Sequence, residues 1–243
     1  MKNAAYSSLA AWFEYLNDDC DYEKWSQYLL EKLKGFPLSV GVDIGCGGGW
    51  FTRRFAKEGY IMTGIDNSRE MLDKAQETAM KEGTRGEYLL GDISRMKLPR
   101  RFSFAVAVND IVNYIPKDKL VAAFKNICGG LTKGGVFLFD VSSKKKFEEK
   151  IANSVSVDDR DEVTYLNFSS VDGDKAVMEV TLFAKGEDGK YTRYDERHEQ
   201  YIYEKEEIVS ALTKSGFTLL EIEGHLKESE ETADRLTFLA VRS

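Results

Sequence analysis

The chain has 243 residues, 42% of them hydrophobic and 31% charged, a length that suits one generous α/β domain or a core domain carrying an insertion. Its formal net charge of −7 argues against a duplex-binding surface, which needs a cationic surplus to displace counterions from phosphate. No window approaches the roughly 20 apolar residues that span a bilayer, and Cys20, Cys46 and Cys128, without CxxC spacing and with only two histidines beside them, predict neither a disulfide framework nor a metal centre.

The stretch MKNAAYSSLAAWFEYLNDDCDYEKW carries acidic and aromatic residues where a signal peptide has an apolar core, so a cytoplasmic location is expected. Residues 1–34 read as a helical cap. Leu9, Trp12, Phe13 and Leu16, then Trp25, Tyr28, Leu29 and Leu33, recur at helical spacing, with a break at Asn17–Asp21 and Asp21 as N-cap of the second helix. Gly35 and Pro37 stop that helix. Strands and helices then alternate: LSVGVDIG, WFTRRFAKEG, YIMTGID, SREMLDKAQETAMKEG capped by Ser68, GEYLLGD, FSFAVAVND, PKDKLVAAFKNICGGLTKGG and VFLFDVS. Apolar strands alternating with helices predict a parallel sheet with right-handed crossovers.

After Ser143 the period changes to two. EVTYLNFSSV, KAVMEVTLFAK and KYTRYDERHEQYIY are separated by the turn signals DGD and EDG, which predicts a three-stranded antiparallel meander within residues 151–204. A helix, EKEEIVSALTKSG, and two strands, FTLLEIEGH and RLTFLAVRS, complete the chain. The expected architecture is a Rossmann-like, mostly parallel seven-stranded sheet flanked by helices. Residues 35–150 and 205–243 form its core, and the meander interrupts it.

VDIGCGGGWFTRRFA (Val42–Ala56) joins a predicted strand to a predicted helix, the context a nucleotide-binding loop requires. A dinucleotide GxGxxG would run Gly45, Gly47 and residue 50. Residue 50 is Trp, which cannot give the close helix–strand packing of the third glycine, and no GK[ST] follows. What stands here is DxGxGxG: Asp43, Gly45, Gly47 and Gly49, with Cys46 as a small filler whose backbone matters. An acidic residue at this strand end suits a ligand with an ammonium group. Asp66 closes the next strand, where a carboxylate can accept from both ribose hydroxyls; it could also cap the following helix. Asp92 ends the third strand, and with Ile93 it suits an adenine amino group beside an apolar neighbour. Asn109 and Asp110 end the fourth. All lie at the carboxyl ends of parallel strands, where α/β sheets bind ligands.

These residues resemble class I S-adenosylmethionine-dependent methyltransferases. VDIGCGGGWFTRRFA resembles the family's first motif, GID its second acidic strand end and GDISRMKLP its third, over Lys34–Ser143 and again over Glu204–Ser243. The resemblance implies S-adenosylmethionine as cofactor, held by Asp43, Gly45, Cys46, Gly47, Gly49, Asp66, Asn67, Asp92, Ile93 and Asn109. DDCDYEKW resembles the small-molecule branch, in which Tyr22 and Trp25 would close over the cofactor. That branch also carries an antiparallel insertion with an ExHxQ pattern, matched by Glu196, His198 and Gln200.

The expected activity is methyl transfer to a small-molecule acceptor. A non-catalytic S-adenosylmethionine-binding regulatory module is the alternative. An amino-adenine methyltransferase would show [DN]PP[YF] after the fourth strand, where this chain reads NDIVNY. Neither nucleic acid nor membrane is an expected partner, and the chain is expected to be a monomer or homodimer. On a period-two strand, Tyr194, Glu196, His198, Gln200 and Ile202 share one face. His198 is the candidate catalytic base there, or else one rung of a sheet-surface hydrogen-bond ladder.

Overall fold

The computed structural model describes residues 8–243; the first part of the expected N-terminal helix, residues 3–7, lies outside them. The rest of that helix is broken into a 3₁₀ turn, Leu9–Ala11, and one turn of α-helix, α1 (Phe13–Leu16). Its side chains face two different surfaces. Leu9 and Phe13 pack against the antiparallel sheet described below, whereas Glu14 lies over the glycine loop. A regular helix follows, α2 (Tyr22–Leu33), and Asp21 caps it by accepting the Lys24 N–H.

The α/β alternation runs as expected: β1 (Val40–Ile44), α3 (Trp50–Lys57), β2 (Ile61–Asp66), α4 (Arg69–Lys81), β3 (Glu87–Leu90), β4 (Phe102–Ala107), α5 (Leu120–Gly130) and β5 (Leu131–Ser142). Ser68 caps α4 through the Met71 N–H. After a short helix, α6 (Lys144–Lys146), the inserted strands are β6 (Val155–Asp159), β7 (Val163–Asp172), β8 (Lys175–Lys185) and β9 (Tyr191–Tyr201). The chain then returns through α7 (Lys205–Lys214), β10 (Phe217–Gly224) and β11 (Arg235–Arg242). The main sheet has seven strands in the order β10-β11-β5-β4-β1-β2-β3, parallel from β3 through β5 and antiparallel at β11 and β10. Its central strands are buried on both faces. On β4, Ala105 and Ala107 pack toward α5 and α7, while Phe104 and Val106 pack toward α2 and α3, so no period-two alternation shows in the sequence.

The insertion is a separate sheet of four strands, β6-β7-β8-β9, not three. The extra strand reads VSVDD and pairs with β7 in the register Val155↔Phe168. It is a short, largely exposed edge strand, and its two valines, Val155 and Val157, give too brief an alternation to announce it. Among the described residues no helix is long and apolar enough to cross a membrane.

Candidate active site

The glycine loop owes its path to three left-handed glycines, with φ of 69° at Gly45, 50° at Gly47 and 79° at Gly49. Two of them also permit close approach. A Cβ on Gly45 would meet the Ile111 side chain at 2.3 Å, and one on Gly49 would meet Ala75 Cβ and Tyr88 at 2.9 Å. Gly49 therefore supplies the tight packing against α4 and β3 that residue 50, a Trp, cannot. Trp50 instead packs its ring against Tyr22 and Phe51.

Asp66 ties this loop to the end of β2. Its Oδ2 accepts the Gly47 N–H at 2.8 Å and its Oδ1 the Ser68 N–H at 2.9 Å. Burial raises its pKa, and those N–H groups pull it back toward the ionised form. Asp43, on β1, is 1% exposed and accepts from the Thr52 hydroxyl at 2.6 Å. Burial pushes its pKa up to about 7. Cys46 is buried and its thiol is raised well above the usual range, first by burial and then by Asp43 and Asp66, so it is no nucleophile. Asp92 Oδ1 accepts from the backbone N–H and the hydroxyl of Ser94, which organises the turn after β3.

These residues border one cleft with two lobes. The first, about 60 Å³, is lined by Asp43, Gly45, Gly47, Gly48, Tyr22 and Asn109 among others; the second, about 230 Å³, by Asn67, Asp92, Ile93 and Tyr114 among others; Gly49 lines neither and serves the packing behind the loop. Gly45, Asp66 and Ile111 line both, so Asp66 stands where the lobes meet. Trp25 does not line either lobe. Its ring packs edge-on against Phe51 and His225, with the Arg235 guanidinium 4.6 Å from its centroid. It is a core aromatic beneath the site, and Phe13 and Glu14 line the lobe beside Tyr22 instead.

The return from β4 is held by charges that the strand patterns did not single out. Asn109 and Asp110 both have positive φ, 67° and 65°. Asp140, on β5, accepts their two N–H groups at 2.9 and 2.8 Å. Arg235, on β11, bridges Asp140 and Asp110 at 3.0 and 3.1 Å. Burial opposes the ionised Asp110 carboxyl, but Arg235 and Lys146 prevail and hold it below the usual range. The one sequence sign of this network was an acid closing the apolar run VFLFD.

On β9, Glu196, His198 and Gln200 are buried on one face. His198 Nε2 lies 3.1 Å from Glu196 Oε2, and its Nδ1 lies 3.3 Å from the Tyr114 hydroxyl. The carboxylate requires a proton on Nε2, and in the neutral tautomer this leaves Nδ1 to accept from Tyr114. Glu196 Oε1 takes the backbone N–H groups of Ser8 and Leu9. His198 and Tyr114 line a further cavity of about 250 Å³, between the antiparallel sheet and the N-terminal segment.

A family model described as a methyltransferase domain matches residues 42–135. A protein of Geobacillus sp. (strain WCH70) named as a methyltransferase is 31% identical, over 97% of this chain and 98% of that one. The chain belongs to the class I S-adenosylmethionine-dependent methyltransferases. An S-adenosylmethionine-dependent methyltransferase from Clostridium acetobutylicum superposes with a TM-score of 0.87 at 29% identity, covering 96% of both chains. At 19% identity, an amino pentose methyltransferase of calicheamicin biosynthesis from Micromonospora echinaspora shares the fold, with a TM-score of 0.75 over all of both chains. The methyltransferase cofactor, S-adenosylmethionine, is the ligand a cleft of this make-up fits: two lobes joined at a carboxylate, with a second carboxylate, Asp43, buried in the smaller one.

Proposed function

We propose that this methyltransferase acts on a small-molecule acceptor, which docks between the main sheet and a lid formed by residues 151–204 and the N-terminal helical cap. The observation that carries this reading is the cavity at His198. It shares Phe13 with the first lobe and Tyr114 with the second, so an acceptor there lies against both ends of the cofactor cleft. A lined cavity beside the cofactor cleft supports an enzyme over a regulatory module, and the net charge of −7 supports a small acceptor over nucleic acid.

In this reading Asp66 accepts from the ribose hydroxyls, using the lone pairs left beside its two N–H contacts. Asp92 and Asn67 border the adenine end with Ile93 as its apolar neighbour. Gly45, Cys46 and Gly47 offer backbone to the remainder, with Gly49 setting the loop's packing behind them, Asp43 faces the cationic amino-acid end, and Tyr22 with Asn109 closes the smaller lobe. Bound there, S-adenosylmethionine supplies a methyl carbon on a positively charged sulfur. The chain's main task is alignment, which can contribute roughly 7–11 kcal/mol. Where the acceptor must lose a proton, His198 takes it through the Tyr114 hydroxyl, and Glu196 stabilises the charged ring.

The test is isothermal titration with S-adenosylhomocysteine. One site per chain is expected, weakened at least about tenfold by Asp66→Ala, since a hydrogen bond to a charged group is worth about 1.5–3 kcal/mol. A folded protein that binds neither S-adenosylmethionine nor its product would refute the cofactor assignment.

A further inference from the structure

We infer that the His198 cavity takes an uncharged, ring-sized acceptor and rejects anionic ones of the same size. The inference rests on the methyltransferase reading of the neighbouring cleft and deepens it to a substrate class. The cavity's volume, about 250 Å³, gives ample room for a substituted ring.

Its walls set the chemistry. Leu9 and Leu16 from the N-terminal segment face Tyr165, Met178 and Val180 from β7 and β8. These are apolar and aromatic surfaces, and the Met thioether adapts well to a ring edge. The hydrogen-bonding groups beside them include Asn17, Tyr114 and His198, of which His198 is already paired with Glu196 and Tyr114. Among the described residues no lysine or arginine lines the cavity.

The two nearby carboxylates are already engaged. Asp158, on β6, is bound by Arg160 at 2.8 Å, and that guanidinium also reaches Asp18 at 3.0 Å. Glu196 holds His198 and two backbone N–H groups. A carboxylate or phosphate entering here would lose its hydration, gain no lysine or arginine, and meet His198 only as a ring already held by the carboxylate of Glu196, an arrangement that disfavours binding. An ammonium would likewise find no uncommitted carboxylate. A hydroxyl or neutral amine on a ring needs only Tyr114 and His198, and its ring covers apolar wall.

Three probes of one ring size separate these cases at neutral pH: phenol, benzoate and benzylamine. Protein loaded with S-adenosylhomocysteine is titrated with each by ligand-observed NMR. Phenol is expected to bind at least about tenfold more tightly than either charged probe. Val157→Trp, at a cavity-lining position that is 62% exposed, and Met178→Trp should both abolish phenol binding while S-adenosylhomocysteine affinity stays within about twofold. The surface position of Val157 keeps the test valid if Met178→Trp fails to fold. Benzoate binding as well as phenol, no phenol binding to the loaded protein, or phenol binding unchanged in Val157→Trp would each overturn the inference. Loss of S-adenosylhomocysteine binding by the unmodified protein would overturn the cofactor reading instead.

Discussion

Asp140 and Arg235 meet across the pairing of β5 with β11, carboxylate to guanidinium at 3.0 Å, with Asp140 only 1% exposed. The pair lies outside the glycine loop and shapes the site from behind. Asp140 spends its oxygens on the N–H groups of Asn109 and Asp110, two consecutive residues in a left-handed conformation that Asn and Asp tolerate better than other non-glycine residues and that these contacts hold in place. That bend delivers Ile111 to the place left open by the missing Cβ of Gly45.

Arg235→Met should therefore be severe. It leaves Asp110 and Asp140 buried without their shared cation, and removing one partner of a buried pair typically costs about 3–5 kcal/mol. Urea unfolding should show that loss. Arg235→Lys should recover only part of it, because one ammonium cannot make both contacts of the planar fork. A variant as stable as the parent would mean that the two carboxyls share a proton rather than a cation.

Two glycines of the loop should respond differently to alanine. At Gly47 a Cβ meets nothing nearer than Met71 Sδ at 4.0 Å, so Gly47→Ala carries mainly the left-handed penalty, about 1 kcal/mol. At Gly49 the same penalty is joined by contacts of 2.9 Å to Ala75 and Tyr88, and α3 and α4 would have to separate. Gly49→Ala should lose at least about 2 kcal/mol more than Gly47→Ala. Equal urea midpoints would show that the packing there yields freely.

How much of this was legible in the sequence follows from what each residue does locally. The parallel core was readable because its strands are apolar runs closed by Asp43, Asp66 and Asp92, and the helix starts because Asp21 and Ser68 satisfy their own N–H groups within three residues. Trp25 misled because a tryptophan at helical spacing reads the same whether it faces a cofactor or Arg235. The edge strand β6 escaped because it buries too little. Tyr114, Asp140 and Arg235 escaped because their partners lie far along the chain: Tyr114 is 84 residues from His198, and Asp140 is 95 from Arg235.

A buried carboxyl and a half-buried imidazole should tilt stability with pH in opposite directions. Asp43 has its pKa raised from 3.8 to about 7 by burial. The folded state then holds a proton that the unfolded state releases, so this contribution is complete below about pH 4 and is lost as pH rises through 7. His225, next to Trp25, has its pKa lowered from 6.5 to about 4 by burial and then by Arg235. Its contribution is complete above about pH 6.5 and is lost as pH falls through 4. Relative to Asp43→Asn, the parent should lose about 2–4 kcal/mol between pH 4 and pH 8. Relative to His225→Gln, it should gain between pH 4 and pH 6.5. Urea midpoints at three pH values measure both slopes, and parallel curves for the parent and Asp43→Asn would contradict the assignment of Asp43.

The Glu196–His198–Tyr114 chain should act as one unit in catalysis. With an acceptor that gives up a proton, the hydroxyl of Tyr114 passes its own proton to His198 Nδ1 as it receives the acceptor's, and Glu196 stays a carboxylate beside the charged ring. Removing a general base of this kind lowers turnover about 10²–10⁴-fold. His198→Gln and Tyr114→Phe should each lower kcat within that range, measured as S-adenosylhomocysteine formed, with cofactor affinity nearly unchanged. Because the two groups work in series, the double variant should be no slower than the worse single one. Multiplicative losses would place the two residues in separate roles. An unchanged kcat in His198→Gln would leave the buried dyad a structural clasp, tying β9 to Ser8 and Leu9 through Glu196.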